Sequence, residues 1–323
     1  MPRGRVGDES IASFIQRRLG QEAVDYLAEP LLAGIHAGDV DQLSVRALFP
    51  RLVALEDKHG SVLKGLRAAA ANPQPASGAF ASFPDGVAEL PEALAASLGQ
   101  ESIEYGTPVA QISGHAPYKL TLETDAAIRA RSVIVATPAW AAARMLRSID
   151  GALAKLCDEI PYASTATVVL AFRRDQITHR LNGTGFVVPR RQRRTLMAAT
   201  WVSSKWPHRA PDDHVLLRGF AGGATNPHAL MQDDATLTSA VIDELRPVIG
   251  IRSEPLFGRI FRWPRGTPQY VVGHMARVQA IDDRLARLPG LFVTGSGYRG
   301  TGIPDCIADA RAIAGRVMDS LRS

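Results

Sequence analysis

The sequence predicts a mixed α/β (α+β) fold, with a helical N-terminal region followed by strands and helices that interleave to the end of the chain. Three observations predict it. Apolar residues recur at helical spacing from residue 8 to about residue 72. Past residue 78 the pattern changes to short β-branched runs, among them the unbroken Val133-Ile134-Val135. The chain closes as an apolar strand, a glycine-rich loop and an amphipathic helix.

In order along the chain, Ile11, Phe14, Ile15, Leu19 and Val24 define the first helical stripe, with Asp8 or Ser10 placed to cap it. Pro30 after Glu29 predicts a break or kink. His36-Ala37-Gly38-Asp39 reads as a connection, and residues 43–55 and 62–71 as further helices. Residues 72–78, rich in Pro, Ala and Ser, mark the clearest boundary of the first third. A short strand over 80–83, the turn Pro84-Asp85-Gly86 and an amphipathic helix over 87–98 follow. Residues 102–105, 109–112, 119–123 and 132–136 read as strands, and 139–158 as helical. Val133-Ile134-Val135 suits a parallel strand buried on both faces. Residues 166–172, 185–188, 196–201 and 215–219 are β-rich, 234–249 form one helix and 257–263 another strand. The last strand spans 291–294. The last helix spans 305–321, with Cys306, Ala310, Ile313, Val317 and Leu321 on one stripe.

Composition bounds the function. Of 323 residues, 46% are hydrophobic and 21% charged, ample for a packed core. No stretch approaches the roughly 18 apolar residues of a membrane span. The charged, Gly/Pro-rich start lacks the apolar centre of a signal peptide, so a cytoplasmic protein is expected. Neither Cys157 nor Cys306 has a CxxC partner or histidines at ligand spacing, so neither a metal site nor a disulfide framework is expected. The net charge is +5, and only five of the 37 basic residues are lysines, which favours an anionic partner. Aromatic residues make up 6% and do not interleave with basic ones, which argues against nucleic acid. Arg190, Arg191, Arg193 and Arg194 form the densest cluster of charge; they suit a solvated hairpin, or the capture of carboxylates.

Chemistry concentrates in Gly295-Ser296-Gly297-Tyr298-Arg299-Gly300-Thr301-Gly302-Ile303-Pro304-Asp305. Its glycines let backbone approach a ligand closely, and the helix that follows offers N–H groups and the positive end of a dipole. Residues 295–300 also spell G-x-G-x-x-G, a dinucleotide fingerprint. That reading fails on position: it needs a second strand after the helix, bearing an acidic residue about 20 positions on. Here the chain ends in the helix. What remains is a loop suited to an electron-rich or anionic group.

The run Tyr298-Arg299-Gly300-Thr301-Gly302-Ile303-Pro304-Asp305-Cys306-Ile307 resembles the C-terminal signature of the protoporphyrinogen/coproporphyrinogen III oxidases, within the flavin amine oxidase superfamily. Arg17-Arg18-Leu19-Gly20, Glu29-Pro30-Leu31-Leu32 and Gly34-Ile35-His36-Ala37-Gly38-Asp39 are similar to that family's helical region. Phe83-Pro84-Asp85-Gly86, with Leu90, resembles its F-x-G-G-x-x-x-L segment, Asp85 replacing the first glycine. Ser203-Ser204-Lys205-Trp206-Pro207, Pro268-Gln269-Tyr270 and Gly273-His274 also match in order.

The resemblance implies the C-terminal part of an FAD/NAD(P)-binding doubly wound domain, interleaved with a mixed-sheet substrate domain. It divides the chain into a helical region (1–76), an FAD-domain segment (77–138), a substrate domain (139–256) and a second FAD-domain segment (257–323). It implies FAD as cofactor, held by Val109, Trp263, Gly295, Ser296, Thr301, Gly302 and Ile303. The tetrapyrrole would lie on Gly185, Phe186, Val187 and Phe220. The implied reaction is oxidation of coproporphyrinogen III or protoporphyrinogen IX to the porphyrin in heme biosynthesis, with O2 as acceptor. It needs no nucleophile and no metal, so no catalytic side chain is assigned. Another amine oxidase or desaturase, or an inactive partner module, is the alternative. The family's FAD fingerprint opens its chain and has no counterpart here, so the sequence is expected to lack an N-terminal segment. An unpaired sheet edge is expected with it. Peripheral membrane association, homo-oligomerisation and a separate N-terminal half stay open.

Overall fold

The computed structural model describes residues 7–70 and 81–322. The boundary expected over 72–78 lies outside them. Ten strands are present among the described residues: β1 (Val109–Ser113), β2 (Tyr118–Leu122), β3 (Ala127–Ala130), β4 (Val133–Val135), β5 (Tyr162–Arg173), β6 (Gly185–Val187), β7 (Leu196–Trp201), β8 (His214–Gly222), β9 (Phe257–Pro268) and β10 (Leu291–Val293). The architecture is mixed α/β, in two compact units: Met1–Val53 with Ile160–Ala276, and Ala54–Glu159 with Arg277–Ser323. Among the described residues no helix is long and apolar enough to cross a membrane.

In the first unit, helix Ile11–Leu19 starts on Ser10, whose Oγ accepts the Ser13 N–H at 3.1 Å. Asp8 serves elsewhere, accepting from Ser44 Oγ at 2.6 Å and from the Gly273 N–H at 3.0 Å. The break expected at Pro30 is absorbed: a π-helical turn, Val24–Ala28, precedes helix Glu29–His36. Widening the spiral there accommodates a residue that cannot donate to the preceding turn.

The centre of this unit is an antiparallel sheet in the order β6-β7-β8-β5-β9. Its strands alternate. Ala166, Val168, Leu170 and Phe172 of β5 and Val215, Leu217 and Ala221 of β8 face one side. There they meet Leu237, Val241, Leu245 and Ile249 of helix Asp234–Ile249. Asp233 caps that helix by accepting from the Thr236 N–H at 2.8 Å, and Gly250, at φ 65°, ends it in the left-handed region.

The second unit holds an antiparallel sheet β1-β2-β3 and a parallel pair β10-β4, in register Leu291↔Val133, Phe292↔Ile134 and Val293↔Val135. The parallel pairing agrees with the unbroken apolar run; burial on both faces does not, since Ile134 is 45% exposed. Among the described residues each of these two strands has one unpaired edge.

Several elements depart from expectation. Residues 102–105 end a 3₁₀ turn, Gln100–Ser102, and leave Tyr105 exposed, because Gly99 and Gly106 at positive φ turn the chain on either side. Residues 81–83 form no strand, and Phe80 lies outside the described residues. The helix expected over 139–158 is two, Ala139–Leu146 and Gly151–Asp158. Asp150, in extended conformation, restarts the second by accepting from the Ala152 and Leu153 N–H groups at 2.9 and 3.0 Å. β3 was not anticipated, since its residues are mostly exposed and carry no apolar alternation. Helix His274–Leu285 was missed too, although Val278, Ile281 and Leu285 are buried at helical spacing.

Candidate functional site

In the second unit, parallel pairing sets the carboxyl ends of β4 and β10 side by side, and the Thr294 N–H donates to the Val135 carbonyl at 3.1 Å. Open α/β sheets bind ligands at such ends, where a loop turns into the N-terminus of a helix. Here that loop is the glycine run, leading into helix Ile303–Arg322. Gly295 sits at φ 115°, a conformation that favours glycine; a Cβ there would lie 3.7 Å from the Ala136 carbonyl oxygen. Gly300 is closed in: its Cβ would fall 2.3 Å from that of Asp305. The Asp305 carboxylate in turn accepts from the Gly302 N–H at 3.3 Å.

The loop is held from beneath. The Tyr298 ring is fully buried, with its hydroxyl 4.0 Å from Cys157 Sγ. Burial pushes the Cys157 thiol up to about 11, the Tyr298 hydroxyl opposing it. Arg299 pairs with Asp282 and, at 3.4 Å, with Asp309, which also accepts from Thr294 Oγ1 at 2.6 Å. Burial works against the Arg299 charge, but the two carboxylates outweigh it and hold its pKa above the usual value. The loop's only cation is therefore committed internally. Thr301 and Gly302 are half-buried and Ile303 is exposed, at the turn into the helix.

Beside the end of β4 lies a cleft of about 510 Å³, lined by Val109, Ile134, Ala136, Thr137, Ala141 and Arg144 among others. Val109 opens β1, and Ala136, the neighbour of Gly295, belongs to the same lining. The structure thus brings Val109 and Gly295 to the end of one strand, with Ser296 next to Gly295 in the chain.

Trp263 belongs to the first unit, on β9, and is 54% exposed. It lies on the sheet face turned away from the core. Registers align Val187, Ala198, Phe220, Thr167 and Phe261 in one row across that face, with Trp263 opposite Thr165 in the next. Phe186 faces the other way, packed on the core with its ring 5.7 Å from that of Trp201. Gly185, at φ 143°, allows β6 to approach β7, since a Cβ would fall 1.9 Å from the Ala199 carbonyl oxygen. Of the four residues expected to touch substrate, Val187 and Phe220 share a row, Gly185 adjoins it, and Phe186 is behind it.

All four arginines of the cluster are exposed, and two of them are tethered. Arg190 bridges Asp39 and Asp41 at 3.2 Å each, and its backbone N–H donates to Glu29 at 2.9 Å. Arg191 donates to the Tyr26 hydroxyl and stacks over its ring at 4.8 Å. Burial pushes the Glu29 carboxyl up from its ordinary value, with Arg190 opposing.

Solved structures define the class. A candidate protoporphyrinogen oxidase from Exiguobacterium sp. superposes at TM-score 0.86 with 33% identity, covering 100% of this chain and 69% of that one. The family follows. Residues 4–318 match flavin containing amine oxidoreductase, and the chain belongs to that family. It is 35% identical to coproporphyrinogen III oxidase of Bacillus subtilis (strain 168) over 94% of its own length and 66% of the relative's. It is 29% identical to the chloroplastic protoporphyrinogen oxidase of Nicotiana tabacum over 96% of its length and 62% of the relative's. The chain spans less than two thirds of the length of these two curated relatives.

Proposed function

We propose that this chain carries the flavin-contacting loop and the substrate wall of a porphyrinogen oxidase of heme biosynthesis, acting on coproporphyrinogen III or protoporphyrinogen IX. The observation that carries this reading is the glycine loop at the paired carboxyl ends of β4 and β10. With Arg299 committed to Asp282 and Asp309, the loop offers backbone rather than a side-chain cation. That suits the electron-rich edge of a flavin, whose reduced form a helix N-terminus stabilises. The residues present fit the group in a second way: the cleft at Val109 and Ile134 is mainly apolar and, at about 510 Å³, takes a flat base.

Val109, Gly295, Ser296, Thr301, Gly302, Ile303 and Trp263 would hold FAD, which when bound accepts electron pairs from the porphyrinogen and passes them to O2. Gly185, Val187 and Phe220 would seat the tetrapyrrole, with Phe186 supporting β6 from the core side. These side chains bind and orient; none of them has to transfer a proton in this reading.

Titration of the purified chain with FAD, followed by flavin fluorescence anisotropy, tests the cofactor. Oxygen-dependent growth of porphyrin fluorescence from coproporphyrinogen III tests the reaction. Saturable FAD binding with porphyrin formation is expected. No FAD binding and no porphyrin would overturn the reading and favour an inactive partner module.

A further inference from the structure

The face of the five-stranded sheet turned away from the core, called the open face below, is covered at β6 and β7 by helix Glu29–His36, whose Gly34 lies against Val187 and Ala198, and beyond that helix it carries one feature that none of the roles above employs. β8 is the central strand, and its residues alternate between the core and the open face. Val215 and Leu217 point to the core, Arg218 and Phe220 to the open face. The Arg218 guanidinium lies over the Phe220 ring, 4.9 Å from its centroid. Thr200 of β7 and Val169 of β5 flank it in register, neither able to neutralise it. No residue in any of the five strands is acidic. Among the described residues no carboxylate pairs with Arg218, and its Nε is buried without a hydrogen-bond partner. Desolvation alone acts on the group, lowering its pKa, with no opposing carboxylate.

An unpaired, partly desolvated guanidinium is costly to keep, and removing such a group commonly stabilises a fold. Its retention at the centre of an aromatic face points to an anion supplied from outside. Guanidinium geometry favours a carboxylate held through two parallel hydrogen bonds. The aromatic surroundings define the rest of that ligand. Phe220 lies in the same row as Phe261, and Trp263 follows on β9. A second cation, Arg259, stands opposite Val169 on the same face, with its guanidinium 5.7 Å from the Phe261 ring centroid. Two strand spacings separate it from Arg218, roughly 10 Å.

We propose that Arg218 is a specificity-determining residue that binds a carboxylate of a polycarboxylate carrying aromatic rings, with Arg259 placed for a second carboxylate of the same molecule. The inference rests on the porphyrinogen reading for the identity of that molecule; the anion requirement rests on the sheet face itself.

The test uses the full chain, with coproporphyrin III and its tetramethyl ester in the same detergent as probes, followed by porphyrin fluorescence. Wild type is expected to bind the acid more tightly than the ester. Arg218→Met should weaken the acid about tenfold or more and leave the ester unchanged. Its melting temperature should equal or exceed that of wild type; a purely structural arginine would lower it. Unchanged affinity of Arg218→Met for the acid overturns the proposal, as does equal weakening of acid and ester. If Arg218→Met does not fold, Arg218→Lys carries the test, since it keeps the charge but loses the paired donors. A several-fold loss confined to the acid is expected, and equal losses for both probes overturn the proposal. If wild type binds neither probe, the porphyrinogen reading itself falls, an outcome distinct from a wild type that binds and a variant that binds equally well.

Discussion

In the five-stranded sheet of the first unit, Val168, Leu170 and Leu217 are wholly buried, and the opposite face keeps Phe261 and Trp263 about half exposed. In the parallel pair of the second unit, the purely apolar run Val133-Ile134-Val135 buries its outer residues and leaves Ile134 open. The first sheet separates buried core from exposed surface by face. The second continues at its strand ends into a loop braced by Tyr298 and Arg299. In both sheets an apolar residue can therefore be core or open surface, and its face decides which.

The largest effect that tests this contrast is Leu217→Ala, which should cost about 2–5 kcal/mol in denaturant unfolding. Ile134→Ala should cost under about 0.5 kcal/mol. Comparable costs at the two positions would break the comparison, by showing that Ile134 is covered in solution. Next is Gly185→Ala, expected to cost about 1–3 kcal/mol from backbone strain and the close Ala199 carbonyl. A variant as stable as wild type would mean that β6 is free to move off β7.

Asp150→Ala follows, at about 1–2 kcal/mol, because it removes a helix cap and the partner of Arg284 at 2.6 Å. Burial pushes the Asp150 carboxyl up, but the Leu153 N–H, Arg284 and the Ala152 N–H together hold it below the ordinary aspartate value. A depressed folded pKa stabilises fully above the unfolded value of about 3.9 and is lost as pH falls through the folded one. The gap between wild type and Asp150→Ala should therefore shrink below about pH 4 in acid titration of the unfolding midpoint. The smallest effect is chemical. With its pKa pushed up to about 11, the buried Cys157 thiol should resist alkylation at pH 8 in the native protein. Labelling as fast as in the unfolded chain would show that the packing under Tyr298 opens.

Local patterns were legible in particular residues. Residues 166–172 read as a β-rich run and form the middle of β5, and residues 234–249 read as one helix and form helix Asp234–Ile249. The glycine loop was legible as the turn from the last strand into the last helix. Phe186 shows the limit. Phe186 and Val187 must face opposite sides of a strand, but three residues do not say which side is core; pairing with β7 puts Phe186 there. Arg218 was missed for a related reason. Its alternation with Val215 and Leu217 signals an outward position, but no sequence pattern reveals that a cation lacks a partner.

By itself, the sequence determined the kinds of element, the strand-to-helix setting of the glycine loop and the family motifs, because backbone propensity, capping and periodicity act over a few residues. Only the tertiary structure decided which strands pair, which face of each is core, that Arg299 is neutralised and that Arg218 is not. Those outcomes depend on groups far apart in the chain, such as β5 meeting β8 and β9. Desolvation and charge pairing act through space and leave no local trace in the order of residues.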